Sequence, residues 1–192
     1  MKHITALFLS LILSVSVTVA QSQYVRIDNT SAGDTIIYNT GKENVSIVTG
    51  IDRGGFSVVS ISTSKTLQYR SPDLGTQFSF AFFYNAKLKE GFLFVHKQLE
   101  FSKGCEVFHI DKNGLTHSGN LPVAAYNKLN KTMDYNSILP YISIVKVSNR
   151  IILSLETPLL VLHPDTREEQ IITSKNISCI FKNNSFEIQN YE

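Results

Sequence analysis

From Gln21 onward, turn-forming residues interrupt the chain before any apolar run becomes long enough for an ordinary helix. Gly33, Gly41, Gly54-Gly55, Ser102-Lys103-Gly104, Asp111-Lys112-Asn113-Gly114, Ser148-Asn149, Pro164-Asp165 and Asn183-Asn184 all sit at such breaks. Gly and Asn reach positive φ at little cost and Pro presets its own φ, so each cluster can reverse the chain. The segments between them are short and rich in Val, Ile, Phe, Tyr and Thr, which suit a pleated, half-buried surface. Strands are therefore predicted over 24–28, 35–38, 44–49, 56–62, 78–84, 91–101 and 105–110. After Pro140 a C-terminal meander follows, over 141–147, 150–156, 158–163, 168–173, 178–182 and 186–189. Strands joined by a few residues pair as antiparallel hairpins. The fold expected is all-β and mainly antiparallel, a single domain over 21–192 shaped as a sandwich or irregular barrel. Partial propeller-like blades are the alternative.

One strand has a predictable place. In Phe78 to Tyr84, reading FSFAFFY, Phe78, Phe80, Phe82 and Tyr84 share one face while Ala81 and Phe83 share the other. Such a strand needs cover on both sides, so it belongs at the centre of the structure, as core rather than as a ligand-stacking platform. Asn120-Leu121-Pro122 breaks the strand rhythm. Pro suits the first position of a helix, so one short helix is expected near 122–130. Residues 29–34 and 132–137 read as turn and loop.

The first twenty residues form a separate unit. Lys2 and His3 precede an apolar run to Val17, and Thr18-Val19-Ala20 offers small residues before Gln21. This is the layout of a secretory signal peptide cleaved near Ala20/Gln21, and the run falls short of the ~20 residues that span hydrocarbon. The expected location is secreted or periplasmic, with no membrane span after cleavage. Cleavage removes Lys2 and no acid, leaving one more basic than acidic side chain from a formal charge of +2. So small an excess argues against nucleic acid as partner.

The remaining cysteines, Cys105 and Cys179, fall in the exported part, where an oxidising compartment predicts a disulfide between them. A loop of that length would stabilise the fold by roughly 4 kcal/mol.

Motifs that carry chemistry are sparse. Neither a Gly-x-Ser-x-Gly elbow nor a His-Glu-x-x-His helix occurs, and Gly54-Gly55 lacks the Lys-Ser/Thr of a phosphate loop. The stretch that looks most like chemistry is Val107 to His117, VFHIDKNGLTH. A three-residue loop over Lys112-Asn113-Gly114 would set His109 opposite His117, close enough to share a metal. A two-residue Asn113-Gly114 loop would set His109 opposite Ser118 instead. Without a third ligand at fixed spacing, the stretch reads as a hairpin, and no cofactor or metal is implied.

These features predict a non-catalytic protein that binds another protein of the envelope or secreted space, as an inhibitor or immunity-type protein that blocks a toxin or cell-envelope hydrolase. The contacts would come from hairpin tips: Asn85, Lys87 and Lys89; Lys112 and Asn113; and Asp165, Arg167 and Glu168. A glycan or small-molecule module using exposed tyrosines such as Tyr24, Tyr69, Tyr126, Tyr135 and Tyr141 is the alternative, and a hydrolase is the third possibility.

Overall fold

The computed structural model describes residues 21–32, 35–40, 44–51, 55–62, 65–71, 77–98, 102–127, 134–164 and 166–190. The leader expected over 1–20, and Asp165 of the proposed tip contacts, lie outside these residues. The fold is all-β, with three antiparallel sheets of which the largest is a nearly closed barrel.

The barrel sheet combines β1 (Gln21–Ile27), β7 (Gln77–Asn85), β8 (Glu90–Gln98), β9 (Ser102–Asp111), β10 (Gly114–Leu121), β13 (Ile142–Val147), β14 (Arg150–Leu155), β17 (Ile177–Lys182) and β18 (Ser185–Asn190). Their spatial order is β10-β9-β8-β7-β1-β13-β14-β17-β18. β10 lies alongside β18, so the two edges approach each other, although no ladder joins them. One continuous ladder through these strands replaces the blade-like alternative.

A second sheet is inserted between β1 and β7. It is a meander of β2 (Asn29–Ala32), β3 (Thr35–Asn39), β4 (Asn44–Ile51), β5 (Gly55–Ser62) and β6 (Lys65–Arg70). The third sheet orders β12 (Asp134–Asn136), β11 (Val123–Asn127), β15 (Leu159–Leu162) and β16 (Gln170–Thr173) as β12-β11-β15-β16.

Register fixes which strand ends coincide. Asn85 pairs with Glu90, Gly91 with Ile110, Gly114 with Asp111, Val147 with Gln21 and Arg150, and Lys182 with Ser185. The tips of the β7–β8, β9–β10, β13–β14 and β17–β18 hairpins therefore share one end of the barrel with the start of β1. At the other end β10 passes into β11 and β14 into β15, while 3-10 turns at Leu139–Tyr141 and Ser174–Asn176 lead into β13 and β17. The third sheet sits at that end. Its Val123, Ala125, Leu160 and Leu162 belong to the same apolar cluster as the barrel interior, so it caps the barrel.

The central strands are covered twice, as FSFAFFY requires. Ala81, Phe83, Phe92, Phe94, Cys105 and Val107 face the barrel interior with Ile144, Leu153 and Phe186. Phe80, Phe82, Tyr84, Leu93, Val95, Phe108 and Ile110 face outward, under Tyr38, Ile36 and Tyr69 of the meander. Period-two alternation thus builds two cores from one set of strands.

Three expectations about elements need correction. Val123–Asn127 is a strand, not the start of a helix over 122–130; residues 128–130 lie outside the description. Val123 and Ala125 enter the barrel core while Ala124 joins a separate cluster, so burial alternates and β11 pairs with β12 and β15. Pairing on both sides overrides the helix preference of alanine. Residues 29–32 form a strand rather than a turn, and Asp134–Asn136 a strand rather than a loop; Lys65–Arg70, where no element was expected, adds an edge strand.

The cysteines are free and buried, not bridged. Both point into the barrel core, but β10 and β18 separate β9 from β17 across the seam, and the rest of the sheet separates them the other way. Burial pushes both thiols up, Cys179 to about 12, so neither is a ready nucleophile.

Candidate functional site

The β9–β10 turn uses a register that neither sequence reading contained. Asp111 pairs with Gly114, leaving Lys112-Asn113 as the two-residue loop. The Asp111 carboxylate accepts hydrogen bonds from the Asn113 backbone N–H at 2.8 Å and from Asn113 Nδ2 at 3.0 Å, and Gly114 takes the positive φ of 115°. His109 consequently pairs with Thr116, and His117 pairs with Phe108. Directly opposed residues share a face, so the two histidines project from opposite faces of the wall. They cannot share a metal ion. Among the described residues no group of three His, Cys, Asp or Glu side chains converges on a metal position.

Each histidine instead meets a glutamate. Inside the hairpin end of the barrel, Glu90 Oε1 lies 2.8 Å from His109 Nε2, and Glu90 Oε2 lies 3.0 Å from Tyr24 Oη and 3.4 Å from Lys146 Nζ. A carboxylate accepts only, so His109 Nε2 carries the proton and donates it. The His109 ring stacks on Phe92 at 4.9 Å and touches Phe181 at 5.0 Å. Burial pushes the Glu90 carboxyl up, but hydrogen bonds from His109 and Tyr24 and the positive charge of Lys146 outweigh it, holding it below the ordinary carboxylate range. Burial, reinforced by the Glu90 charge, raises the Tyr24 hydroxyl far above its ordinary range, so Tyr24 remains a donor. The cluster holds one carboxylate against a histidine, a tyrosine hydroxyl and a lysine at the barrel mouth.

The second glutamate has a different job. Glu106 points outward beneath the meander, 2.8 Å from Lys97 Nζ, 2.9 Å from Tyr69 Oη and 3.4 Å from His117 Nε2. Tyr69 also stacks on His117 at 5.0 Å and meets Phe108 edge-on at 4.7 Å. This network fastens β6 to β8, β9 and β10. His96 is buried inside the barrel with Nδ1 3.3 Å from Ser79 Oγ, and burial alone lowers it to about 4.

The hairpin end gathers most of the predicted contacts. Lys87, Lys89, Lys112 and Asn113 are exposed on two of its tips. Asn85 is buried instead. Its Nδ2 donates to Ser22 Oγ and to the Gln23 carbonyl, and its Oδ1 accepts from the Leu88 N–H at 3.2 Å, so it shapes the tip. Arg167 and Glu168 are exposed in the β15–β16 connection of the third sheet, apart from the other tips.

Lys146, Arg150 and Lys182 join Lys87, Lys89 and Lys112 at this end, with only Glu90 and Asp111 as acids among the described residues of the four tips. Lys146 is paired with Glu90, whereas Lys87, Lys89, Lys112, Arg150 and Lys182 make no ion pair among the described residues. A depression of about 370 Å³ lies between the β7–β8 and β13–β14 tips, lined by Gln21, Ser22, Lys87, Leu88, Lys146, Ser148 and Asn149.

Sequence reading missed Tyr24, Glu90 and Lys146 as partners because they lie on three separate strands. One signal was present: Glu90 shares parity with Phe92 and Phe94, so a charged residue occupies a core-facing position. No family model, curated protein or solved structure matches this chain.

Proposed function

We propose that this chain is an exported, non-catalytic binding protein that uses the four-hairpin end of its barrel to block a partner protein, in the manner of an inhibitor or immunity protein. The observation that carries this reading is the convergence of four tips on one end, five of whose cations make no ion pair among the described residues. Phe92, Phe94, Ile144 and Leu153, all fully buried, occupy the barrel interior, so binding falls to the surface. Antiparallel hairpins on a packed barrel hold their tips in fixed relative positions, which lowers the ordering cost of an interface. Export rests on the leader pattern in residues 1–20.

The glycan reading finds less support. Tyr24 and Tyr135 are buried, and of the five tyrosines proposed for it only Tyr141 is exposed.

Capture on immobilised protein from the native envelope or secreted fraction tests the proposal. One stoichiometric protein should be retained, and Asn113→Trp with Asn149→Trp should abolish retention by adding bulk to two tips. Retention unaffected by that double variant would overturn the assignment of this end.

A further inference from the structure

Building on that reading of the hairpin end, we propose that its partner presents an acidic loop, one carboxylate of which enters the depression between Lys87 and Lys146. The chain as a whole carries a formal charge of only +2, yet the hairpin end concentrates its cations. Lys87 and Lys89 come from the β7–β8 tip, Lys112 from β9–β10, Arg150 from β13–β14 and Lys182 from β17–β18. Elsewhere a partly buried lysine on the outer face of the wall is matched: Lys97 meets Glu106 at 2.8 Å. The tip cations have no such match among the described residues. A charge left unmatched on a rigid surface is complementary to an opposite charge on a partner, and it speeds and orients docking.

The depression gives that charge a seat. Lys87 and Lys146 line it from two different hairpins, with Ser22, Ser148 and Asn149 as polar neighbours and Leu88 as an apolar rim. Lys146 is held in place by Glu90, itself fixed by His109 and Tyr24, so one side of the seat is preorganised. Glu90 offsets part of the Lys146 charge, which leaves Lys87 as the dominant attraction within the depression.

The arrangement suits a protein loop better than a polyelectrolyte. The cations are spread around a barrel rim instead of along a track, and the tip residues Ala86–Lys89, Lys112-Asn113, Ser148-Asn149 and Asn183-Asn184 include no aromatic residue on which bases could stack. Leu88, 37% exposed amid these polar tips, supplies the small apolar contact common at protein interfaces.

Binding of poly-L-glutamate to the purified protein, measured by calorimetry at low and high salt, tests the inference. Saturable binding that weakens with salt is expected. Lys87→Glu with Lys89→Glu should weaken it at least about tenfold. Lys175→Glu, an exposed reversal at the opposite end, should leave it within about twofold. Absence of binding, equal loss in the Lys175→Glu control, or tighter binding of polyphosphate than of poly-L-glutamate would each overturn it. The underlying reading fails separately. If added bulk at Asn113 and Asn149 abolishes partner capture while Lys87→Glu with Lys89→Glu does not, the hairpin end stands as an interface and the acidic partner is refuted.

Discussion

His109 and His117 flank one two-residue turn, yet they stand on opposite faces of the barrel wall, each against its own glutamate. His109 Nε2 lies 2.8 Å from Glu90 inside the barrel mouth, and His117 Nε2 lies 3.4 Å from Glu106 beneath the meander. The register that places Thr116, not His117, opposite His109 decides this. One carboxylate organises the hairpin end of the barrel and the other holds two sheets together.

Removing the second carboxylate should loosen the meander. Glu106→Ala removes the carboxylate that Lys97 and the Tyr69 hydroxyl meet, and a loss of about 2 kcal/mol is expected in chemical denaturation. Hydrogen exchange should rise in Lys65–Arg70 before it rises in β13 and β14. Glu106→Gln, which still accepts from Tyr69, should lose less. Equal exchange in both regions would show that the network does not fasten β6.

The Glu90 carboxyl makes acid stability depend on the barrel mouth. Its native pKa lies below the ordinary 4.5, since the partners that favour the charged form outweigh burial. The stabilisation it supplies is present above pH 4.5 and is lost as pH falls through the lower native value. Denaturation curves for Glu90→Gln should show a shallower loss of stability below pH 4.5 than those of the parent. Superimposable pH dependences would refute this role.

His96 acts in an earlier window. Burial lowers its pKa from 6.5 to about 4, so between these values the unfolded chain binds a proton that the native protein refuses. Stability therefore falls as pH drops through that range, by about 3 kcal/mol in all. His96→Gln should flatten the slope there without altering the Glu90 window. NMR titration of the His96 ring gives a direct check, and a native pKa near 6.5 would contradict the burial argument.

Both cysteines should behave as inert core residues. Iodoacetamide should label neither Cys105 nor Cys179 in the native protein and both after denaturation, with the same result with or without a reductant. Adding the reductant should leave the melting temperature unchanged. A reductant-dependent melting temperature would restore the disulfide that the barrel topology separates.

Much of the architecture is legible in local sequence, because a turn and a strand are decided by few neighbours. Ser148-Asn149 and Asn183-Asn184 reverse the chain where their composition says they should, with Ser148, Asn183 and Asn184 at positive φ. FSFAFFY sits between two cores, as its two apolar faces require. Errors occurred where long-range pairing outweighed local preference. Pro122 and two alanines resemble a helix start until β15 and β12 pair with them, and Lys65–Arg70 gave no strand signal although it pairs with β5. The same limit applied to the site: Tyr24, Glu90, His109 and Lys146 come from β1, β8, β9 and β13.

The sequence by itself determined most of the strands, most of the hairpins and a core built on period-two alternation, since backbone preference and side-chain parity are local. Tertiary structure alone decided that the sheet curls into a barrel, that four tips share one end, that two cysteines stay apart and that His109 and His117 meet different glutamates. The physical reason is register. A shift of one residue exchanges the faces of a strand, and only the summed packing of both cores selects among such shifts.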